Sequence, residues 1–392
     1  MRHRRKSIAI VCLVGLGFPA LYSLAQPGAD ALSGGAKFLE NKDLQKKLLK
    51  SLADSIPPTP ETPNFKITVG VPDRVTEYAN RYANNRSRRD RSPLSGLDGI
   101  RFARNELSEF TTGAGLVQPG PETVVIADGS SHPALKFCTQ GSIDPVPPQW
   151  GDDFTQNADK IEKVLLRTGF ITTDQAHMPA LGTCFLIAPK IVLTNRHVAT
   201  EFTNDDLSFK ASLTPDANGP MIVSATFTRY VCSMPIVKFK VAKVLYIASE
   251  QSLDFALLRL DDPQNLLPAD PLKLAGAQPA SLASRKVFVC GNPLFDNDGT
   301  IPQDVMSAIF GVPLGVKRIS PGFLMAESSA NSLTHDCSTL GGSSGSPVVD
   351  FETGEVIGLH WAGNYDTFDK RNFAVPSWRI SQVPKVIEIL HP

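Results

Sequence analysis

The 392-residue sequence lacks an excess of charge of either sign, since 39 lysines and arginines stand against 39 aspartates and glutamates. A neutral chain has no bulk electrostatic attraction to nucleic acid, so no nucleic-acid partner is expected. Cys-x-x-Cys and mixed Cys/His ligand spacings are missing, and the sequence predicts neither a metal site nor a cofactor. The DNDG stretch at 296–299 favours a turn over a calcium loop, because the further acidic ligands are missing.

Long apolar runs are also scarce, and the one that matters lies at the N-terminus. Residues 7–25 are uncharged, follow the basic stretch MRHRRK, and end in small residues around Ala25. We expect residues 1–25 to be a cleaved signal peptide that exports the protein to the periplasm or the medium. The alternative is an uncleaved anchor, and membrane association is expected only in that case, because the run is barely long enough to span a bilayer.

Cysteine is sparse, with six residues in the chain. Loss of Cys12 with the signal would leave five, so at least one thiol would stay unpaired within the chain. We expect most of the five to be small buried hydrophobic residues, and their pairing stays open.

Residues 26–150 have the pattern of an N-terminal accessory or pro-segment that is partly helical. Leucines at three- and four-residue steps predict an amphipathic helix over 38–56, which the proline-rich stretch 57–63 ends. The basic run NNRSRRDRS at 84–92 favours a solvated loop over contact with lipid or nucleic acid. The VPPQW stretch at 146–150 marks the boundary to a second domain, 151–392, which opens with a short helix at about 155–167.

From about residue 169 the chain consists of short β-rich runs separated by turn residues, such as GTCFLIAPKIVLTN, DFALLRL and KVFVCGNP. This pattern is typical of an all-β barrel or sandwich. Residues 381–390 predict one closing helix.

One of the turns, LGGSSGSPVV at 340–349, is too rich in glycine and serine for a strand and too closely flanked by apolar residues for a linker. A serine becomes a nucleophile when a histidine held by a carboxylate takes its proton. His197 ends an apolar strand, and Asp254 opens another, where a charge needs a partner. The sequence therefore predicts a site of His197, Asp254 and a serine of the turn.

The blocks TNRHVA, DFALLRL and GGSSGSP resemble the three catalytic blocks of chymotrypsin-fold serine proteases. Over about 169–392 the chain is similar to bacterial trypsin-like peptidases related to glutamyl endopeptidases. The resemblance implies an all-β fold of two six-stranded antiparallel β-barrels, at about 169–262 and 272–380, with a C-terminal helix. It also makes Ser344 the nucleophile, rather than Ser343 or Ser346, and the backbone N–H groups of Gly342 and Ser344 the oxyanion hole.

The resemblance extends to the primary specificity pocket. Ser338, six residues before the nucleophile, corresponds to the base of the pocket, and its neutral side chain disfavours substrates with lysine or arginine. Thr339 and His360 match the residues that receive a glutamate side chain in glutamyl endopeptidases. His335, beside Asp336, is interpreted as structural.

The sequence as a whole predicts an exported serine endopeptidase that acts on protein or peptide substrates, with cleavage after glutamate as the expected specificity. An IVGG-type new amino terminus is missing, so the segment 26–150 is either a removable propeptide or a permanent accessory domain. The alternative function is a non-catalytic, envelope-associated binding protein on the same fold.

Overall fold

A computed structural model describes residues 65–69, 126–127, 130–138, 141–175, 178, 180–213, 219–228, 236–294, 301, 306, 309–365 and 370–391. All of them belong to the unit Asn64–Pro392. The predicted signal peptide, the amphipathic helix at 38–56, the basic run at 84–92 and the DNDG stretch lie outside the described residues. No helix within the described ranges is long and apolar enough to cross a membrane.

The described elements are mostly short strands. The strands are β1 (Ile126–Ala127), β2 (Ser130–Ser131), β3 (Leu135–Cys138), β4 (Gly141–Ser142), β5 (Thr168–Thr173), β6 (Ala180–Ala188), β7 (Ile191–Thr194), β8 (Val223–Thr226), β9 (Lys238–Ile247), β10 (Ala256–Leu260), β11 (Lys286–Gly291), β12 (Arg318–Phe323), β13 (Leu333–His335), β14 (Pro347–Asp350), β15 (Val356–Tyr365) and β16 (Lys370–Pro376). The helices are α1 (Pro148–Gln156), α2 (Ala158–Arg167), α3 (Arg196–Thr200), α4 (Ser377–Ser381) and α5 (Pro384–Leu390).

Six of these strands close into an antiparallel barrel in the order β10-β7-β6-β5-β8-β9. Strand β9 shows why the sequence folds this way, because its first residues alternate between exposed lysines and the buried Phe239 and Val241. A strand whose side chains point alternately to its two faces buries one set and solvates the other. The interior is filled by aliphatic residues such as Ile171, Leu186 and Leu258.

The second sheet has eight strands in the order β13-β16-β15-β14-β11-β12-β3-β4. Leu324, just after β12, forms an isolated antiparallel bridge with His335 of β13. This bridge brings β13, the first strand in the order, next to β12, the sixth. The prediction of an all-β fold with a barrel and a C-terminal helix is confirmed. The second sheet exceeds the six strands expected because β3 pairs with β12 and adds the β3–β4 hairpin.

The β3–β4 hairpin comes from the part of the chain that the sequence analysis assigns to an accessory segment. Leu135, Phe137 and Val146 are fully buried in the same cluster as Phe288 and Phe351. The described residues of 130–138 and 141–147 therefore pack with the sheet that carries the serine-rich turn.

The helices differ in detail from the sequence prediction. Instead of one helix at 155–167, α1 begins at Pro148 and is separated from α2 by Asn157. Instead of one closing helix there are two, because Pro384 occupies the first turn of α5, where its missing N–H costs nothing.

Candidate active site

His197 and Asp254 form a directly bonded pair at one end of the first barrel. Asp254 precedes β10 and His197 lies in α3, which follows β7; the pairing of Ala256 with Thr194 brings the two segments together. His197 Nδ1 lies 2.7 Å from Asp254 Oδ2, and the His197 backbone N–H donates to Asp254 Oδ1 at 3.0 Å. A carboxylate at Nδ1 holds the proton there and leaves Nε2 as the acceptor.

Two neighbours hold Asp254 in place. Asn195, which is fully buried, donates its Nδ2 to the Asp254 carbonyl oxygen at 3.0 Å. The guanidinium of Arg196 brings its Nε to 4.0 Å from Asp254 Oδ1, so a positive charge faces the carboxylate. The ring of His197 therefore rests on a carboxylate that is itself fixed.

The serine-rich turn lies between β13 and β14 and contains two glycines with positive φ, Gly342 at 89° and Gly345 at 90°. Of its three serines, Ser344 is 9% exposed, whereas Ser343 is 3% exposed and Ser346 is fully buried. Ser344 Oγ donates to the Trp361 carbonyl at 3.5 Å, a long and weak hydrogen bond. Ser344 is thus the serine of this turn that is nearest to the surface.

Strand β6 of the first barrel holds the turn from the other side, through Thr183. The Thr183 backbone N–H donates to the Ser344 carbonyl at 2.7 Å, and Thr183 Oγ1 donates to the Gly342 carbonyl at 2.7 Å. The same Oγ1 accepts the Asn292 N–H at 3.2 Å. Sequence reasoning missed Thr183, because a threonine in an apolar strand gives no local sign of a partner 159 residues away.

The peptide bond between Gly341 and Gly342 has a defined direction. The Gly341 carbonyl accepts the Leu294 N–H at 2.5 Å, which turns the Gly342 N–H the opposite way. Within the described ranges, no acceptor lies in hydrogen-bonding position for the Gly342 N–H. A Cβ on Gly342 would lie 2.7 Å from the Asn292 carbonyl oxygen, so only glycine fits.

The three residues of the predicted specificity pocket are buried close to the turn. His360 in β15 accepts the Gly345 N–H and donates its own N–H to Ser346, at 2.9 Å in both cases. Ser338 Oγ donates to the His132 carbonyl at 2.5 Å. Thr339 Oγ1 is buried and finds no hydrogen-bond partner among the described residues.

His335, interpreted from the sequence as structural, is in contact with the predicted pocket. Its Nε2 lies 3.3 Å from His360 Nδ1, and both residues are fully buried. Burial, and then the proximity of His360, hold the pKa of His335 well below its ordinary value, so its ring is neutral. No local pattern in the sequence connects these two histidines, which are 25 residues apart.

Three of the five cysteines agree with the expectation that most of them are buried hydrophobic residues. Cys184, Cys290 and Cys337 are free and buried, and Cys138 is disulfide-bonded. Burial raises the pKa of the Cys184 thiol to about 12 and that of Cys290 to about 11. These two thiols are therefore protonated and unreactive at neutral pH.

The closed antiparallel β-barrel and the second antiparallel sheet form a fold of the chymotrypsin-like class. Residues 182–359 match the trypsin-like peptidase domain. A probable serine protease of Lysobacter enzymogenes is 27% identical over 274 residues, which cover 62% of this chain and 69% of the relative. These matches show a serine endopeptidase and confirm the resemblance of the sequence to trypsin-like peptidases.

Solved protease structures are similar to this chain at low sequence identity. A Mycobacterium tuberculosis protease in its active form is 18% identical with a TM-score of 0.38, covering 61% of this chain and 86% of its own. A Glu endopeptidase is 17% identical with a TM-score of 0.38, covering 57% of this chain and 88% of its own.

Proposed function

We propose that the protein hydrolyses peptide bonds with a triad of His197, Asp254 and Ser344. The observation that carries the proposal is the double contact of Asp254 with both the ring and the backbone N–H of His197. It fixes the tautomer in which His197 Nε2 can accept a proton. The greater exposure of Ser344 relative to Ser343 and Ser346 supports the choice of nucleophile.

In this mechanism Ser344 Oγ attacks the scissile carbonyl carbon while His197 Nε2 takes its proton. The weak hydrogen bond from Ser344 to the Trp361 carbonyl costs little to break. His197 then gives the proton to the leaving amine, the C–N bond breaks, and the acyl group stays on Ser344 as an ester. A water that loses its proton to His197 hydrolyses the ester and restores the enzyme.

The oxyanion of the tetrahedral intermediate needs donors placed before the reaction starts. The direction of the Gly342 N–H, opposite to the carbonyl bonded by Leu294, supports its role as one donor, together with the N–H of Ser344. Such preorganised donors stabilise developing charge more strongly than mobile water does. Thr183 stiffens the turn by bonding both the Gly342 and the Ser344 carbonyl.

The triad is tested by single substitutions assayed with a peptide substrate and a fluorophosphonate probe. Ser344→Ala is expected to lower kcat/KM by about four or more orders of magnitude and to abolish labelling, because the triad acts as a unit. Ser343→Ala and Ser346→Ala are the matched controls and should keep most of the activity. A Ser344→Ala protein that retained turnover would refute the assignment, and a wild type that neither cleaved nor labelled would favour the non-catalytic binding protein.

We further propose that the primary pocket takes a glutamate side chain. The support is chemical: Ser338 carries no charge, the Thr339 hydroxyl is buried without a partner among the described residues, and His360 is buried beside the serine-rich turn. A substrate carboxylate could accept from Thr339 and His360. An unpaired buried donor costs about 1–3 kcal/mol, so a ligand that pairs it is favoured by a similar amount. An aspartate, being shorter, reaches the two donors less well.

A peptide library profiled with the wild-type enzyme tests the pocket. Cleavage should follow glutamate, and His360→Ala should lower kcat/KM for glutamate substrates by roughly 10-fold or more while changing turnover of alanine substrates much less. A preference for arginine, lysine or large apolar residues would contradict the carboxylate pocket and leave the triad untouched.

Export remains part of the proposal and rests on the sequence of residues 1–25 alone. N-terminal analysis of protein recovered from the periplasm or the medium should show a start near residue 26. Full-length protein that stays in the cytoplasm would contradict export, and full-length protein in the membrane fraction would favour the uncleaved anchor.

A further inference from the structure

Residues 65–69, sequence FKITV, lie as an extended segment along the β4 side of the second sheet. The Ser142 N–H donates to the Lys66 carbonyl at 2.9 Å, and the Val146 N–H donates to the Thr68 carbonyl at 2.6 Å. The Thr68 N–H donates to Ser142 Oγ at 2.8 Å. The segment is thus attached by three hydrogen bonds, although 70 or more residues separate it from its partners.

The side chains of residues 65–68 alternate as those of a strand do. Phe65 and Ile67 are partly buried and pack on the main hydrophobic cluster, whereas Lys66 and Thr68 are exposed. The ring of Phe65 stacks on that of Phe137 in β3, with 6.0 Å between centroids and 9° between planes. One face of the segment therefore completes the core around the β3–β4 hairpin.

Two glycines leave room for the segment. Gly141 has φ of 128°, and a Cβ there would lie 1.8 Å from the Lys66 carbonyl oxygen. A Cβ on Gly151, in α1, would lie 2.9 Å from Val69 Cγ1. The surface below residues 65–69 is therefore shaped to receive this backbone closely.

The hairpin that the segment covers reaches the predicted specificity pocket. His132 lies just before β3, and its carbonyl accepts a hydrogen bond from the Ser338 hydroxyl at 2.5 Å. The ring of His132 packs edge-on against Trp150 and Phe323, with ring centroids 6.2 and 6.4 Å away. Residues upstream of 151 therefore contact the loop that carries Ser338 and hold it in place.

We propose that the second sheet is a docking site for residues 65–69 of its own chain, and that the N-terminal part of the protein stays bound there after the chain is cut between 70 and 125. The N-terminal part is then a retained component of the enzyme and not a propeptide that leaves. By covering the β3–β4 hairpin, the docked segment keeps His132 in contact with Ser338. This last step rests on the proposed function, because it assigns Ser338 to the substrate pocket.

The experiment uses the full chain with a C-terminal affinity tag and a recognition sequence for a site-specific protease inserted between Arg89 and Asp90. Ser344→Ala is included in this arm so that the protein cannot cleave itself. After the cut, the C-terminal part is captured and the N-terminal fragment that remains bound is measured by mass spectrometry. The fragment is expected to stay bound, and its release under native conditions would overturn the proposal.

Paired variants identify the attachment. Phe65→Ala/Ile67→Ala should lower the retained fraction at least about tenfold, because two apolar anchors are removed. Lys66→Ala/Thr68→Ala, which changes only the exposed side chains and no backbone group, is the matched control and should retain the fragment. A synthetic peptide of residues 61–72 should displace the wild-type fragment, whereas the same peptide with both alanines should not. Equal retention by the two double variants would overturn the proposal even if the wild type retains the fragment.

A second arm uses the active enzyme with Ser344 intact. Cutting alone should leave kcat/KM within about twofold, since the segment stays docked. Cutting the Phe65→Ala/Ile67→Ala enzyme should raise KM severalfold with a smaller change in kcat, the sign of a loosened pocket rather than a lost triad. Loss of the fragment with an unchanged KM would overturn the coupling to Ser338. The measurement of fragment retention does not depend on catalytic activity. A failure of the proposed triad would therefore be distinguished from a failure of docking.

Discussion

A buried lysine immediately before β12 makes the stability of the protein depend on pH in a defined way. Lys317 is fully buried, and its Nζ donates to the Leu165 carbonyl at 2.5 Å and to the Phe227 carbonyl at 2.7 Å. Burial lowers the pKa of Lys317 from 10.5 to about 8, and the nearby thiols of Cys290 and Cys184 act in the opposite sense. The charged form of Lys317 is therefore disfavoured in the folded protein.

The sign follows from which state binds the proton. Below the folded pKa of about 8, Lys317 is charged in both states, and the folded protein bears the full cost of the buried charge, about 3 kcal/mol. Between about 8 and 10.5 only the unfolded state is protonated, so the free energy of unfolding rises with pH. From pH 7 to pH 9 the gain amounts to about 1 kcal/mol.

Urea denaturation at pH 7, 8 and 9 measures this gain against Lys317→Met, which has no titrating group. The difference in unfolding free energy, wild type minus variant, should shift in favour of the wild type by about 1 kcal/mol between pH 7 and pH 9. Lys317→Gln provides a second comparison if the methionine variant folds poorly. A difference that stays constant over this range would refute the lowered pKa.

At higher pH the ionisation of the buried thiols opposes the gain in unfolding free energy that comes from Lys317. Cys184, Cys290 and Cys337 all have a raised pKa in the folded protein, each mainly because of burial. Above the ordinary value of 9 the unfolded state loses these protons first, so stability then falls as pH rises. Near pH 9 the thiols of the unfolded state already begin to ionise, so the comparison with Lys317→Met, which keeps all three cysteines, is what separates the lysine from the thiols.

Two further predictions concern the turn that carries Ser344. Gly345→Ala should lower the free energy of unfolding by at least about 2 kcal/mol in urea denaturation, because φ is 90° and the new Cβ would lie 2.0 Å from the Thr183 carbonyl oxygen. Gly341→Ala, whose Cβ would meet nothing within 4 Å, is the matched control, and an equal loss in both would contradict the steric argument. Thr183→Val should lower kcat/KM by roughly tenfold by freeing the Gly342 carbonyl, and Thr183→Ser should restore most of it. If valine and serine behaved alike, the hydroxyl would have no role in the turn.

The parts of the site that the sequence could predict are those whose signal is local. His197, Asp254 and Ser344 each stand in a short block that differs from its surroundings, so three independent blocks in order predicted the site. Their relation to Thr183 was not predictable, because its hydroxyl bonds a residue of the serine-rich turn that is 159 positions away. A buried threonine and a hydrogen-bonded one look the same in a sequence.

The fold was predictable where strands are apolar and separated by turns, and less so upstream of residue 151. Strand β3 has four residues, and its partner β12 begins at Arg318, far along the chain. A single short run of this kind has no periodicity to distinguish it from a loop. The same reason explains why residues 65–69, which are held by a distant hairpin, gave no signal.

The contacts between the first barrel and the second sheet include buried hydrogen bonds as well as apolar packing. Thr183 bonds the Gly342 carbonyl, and Lys317 bonds the carbonyls of Leu165 and Phe227. A buried hydrogen bond adds about 1 kcal/mol when made, but a partner left unpaired costs more, about 1–3 kcal/mol. Such contacts therefore destabilise displaced arrangements of the barrel and the sheet more than they stabilise the correct arrangement. Because Ser344 lies on one side of this interface and His197 on the other, the same contacts that fix the interface also fix the relative position of the proposed nucleophile and base.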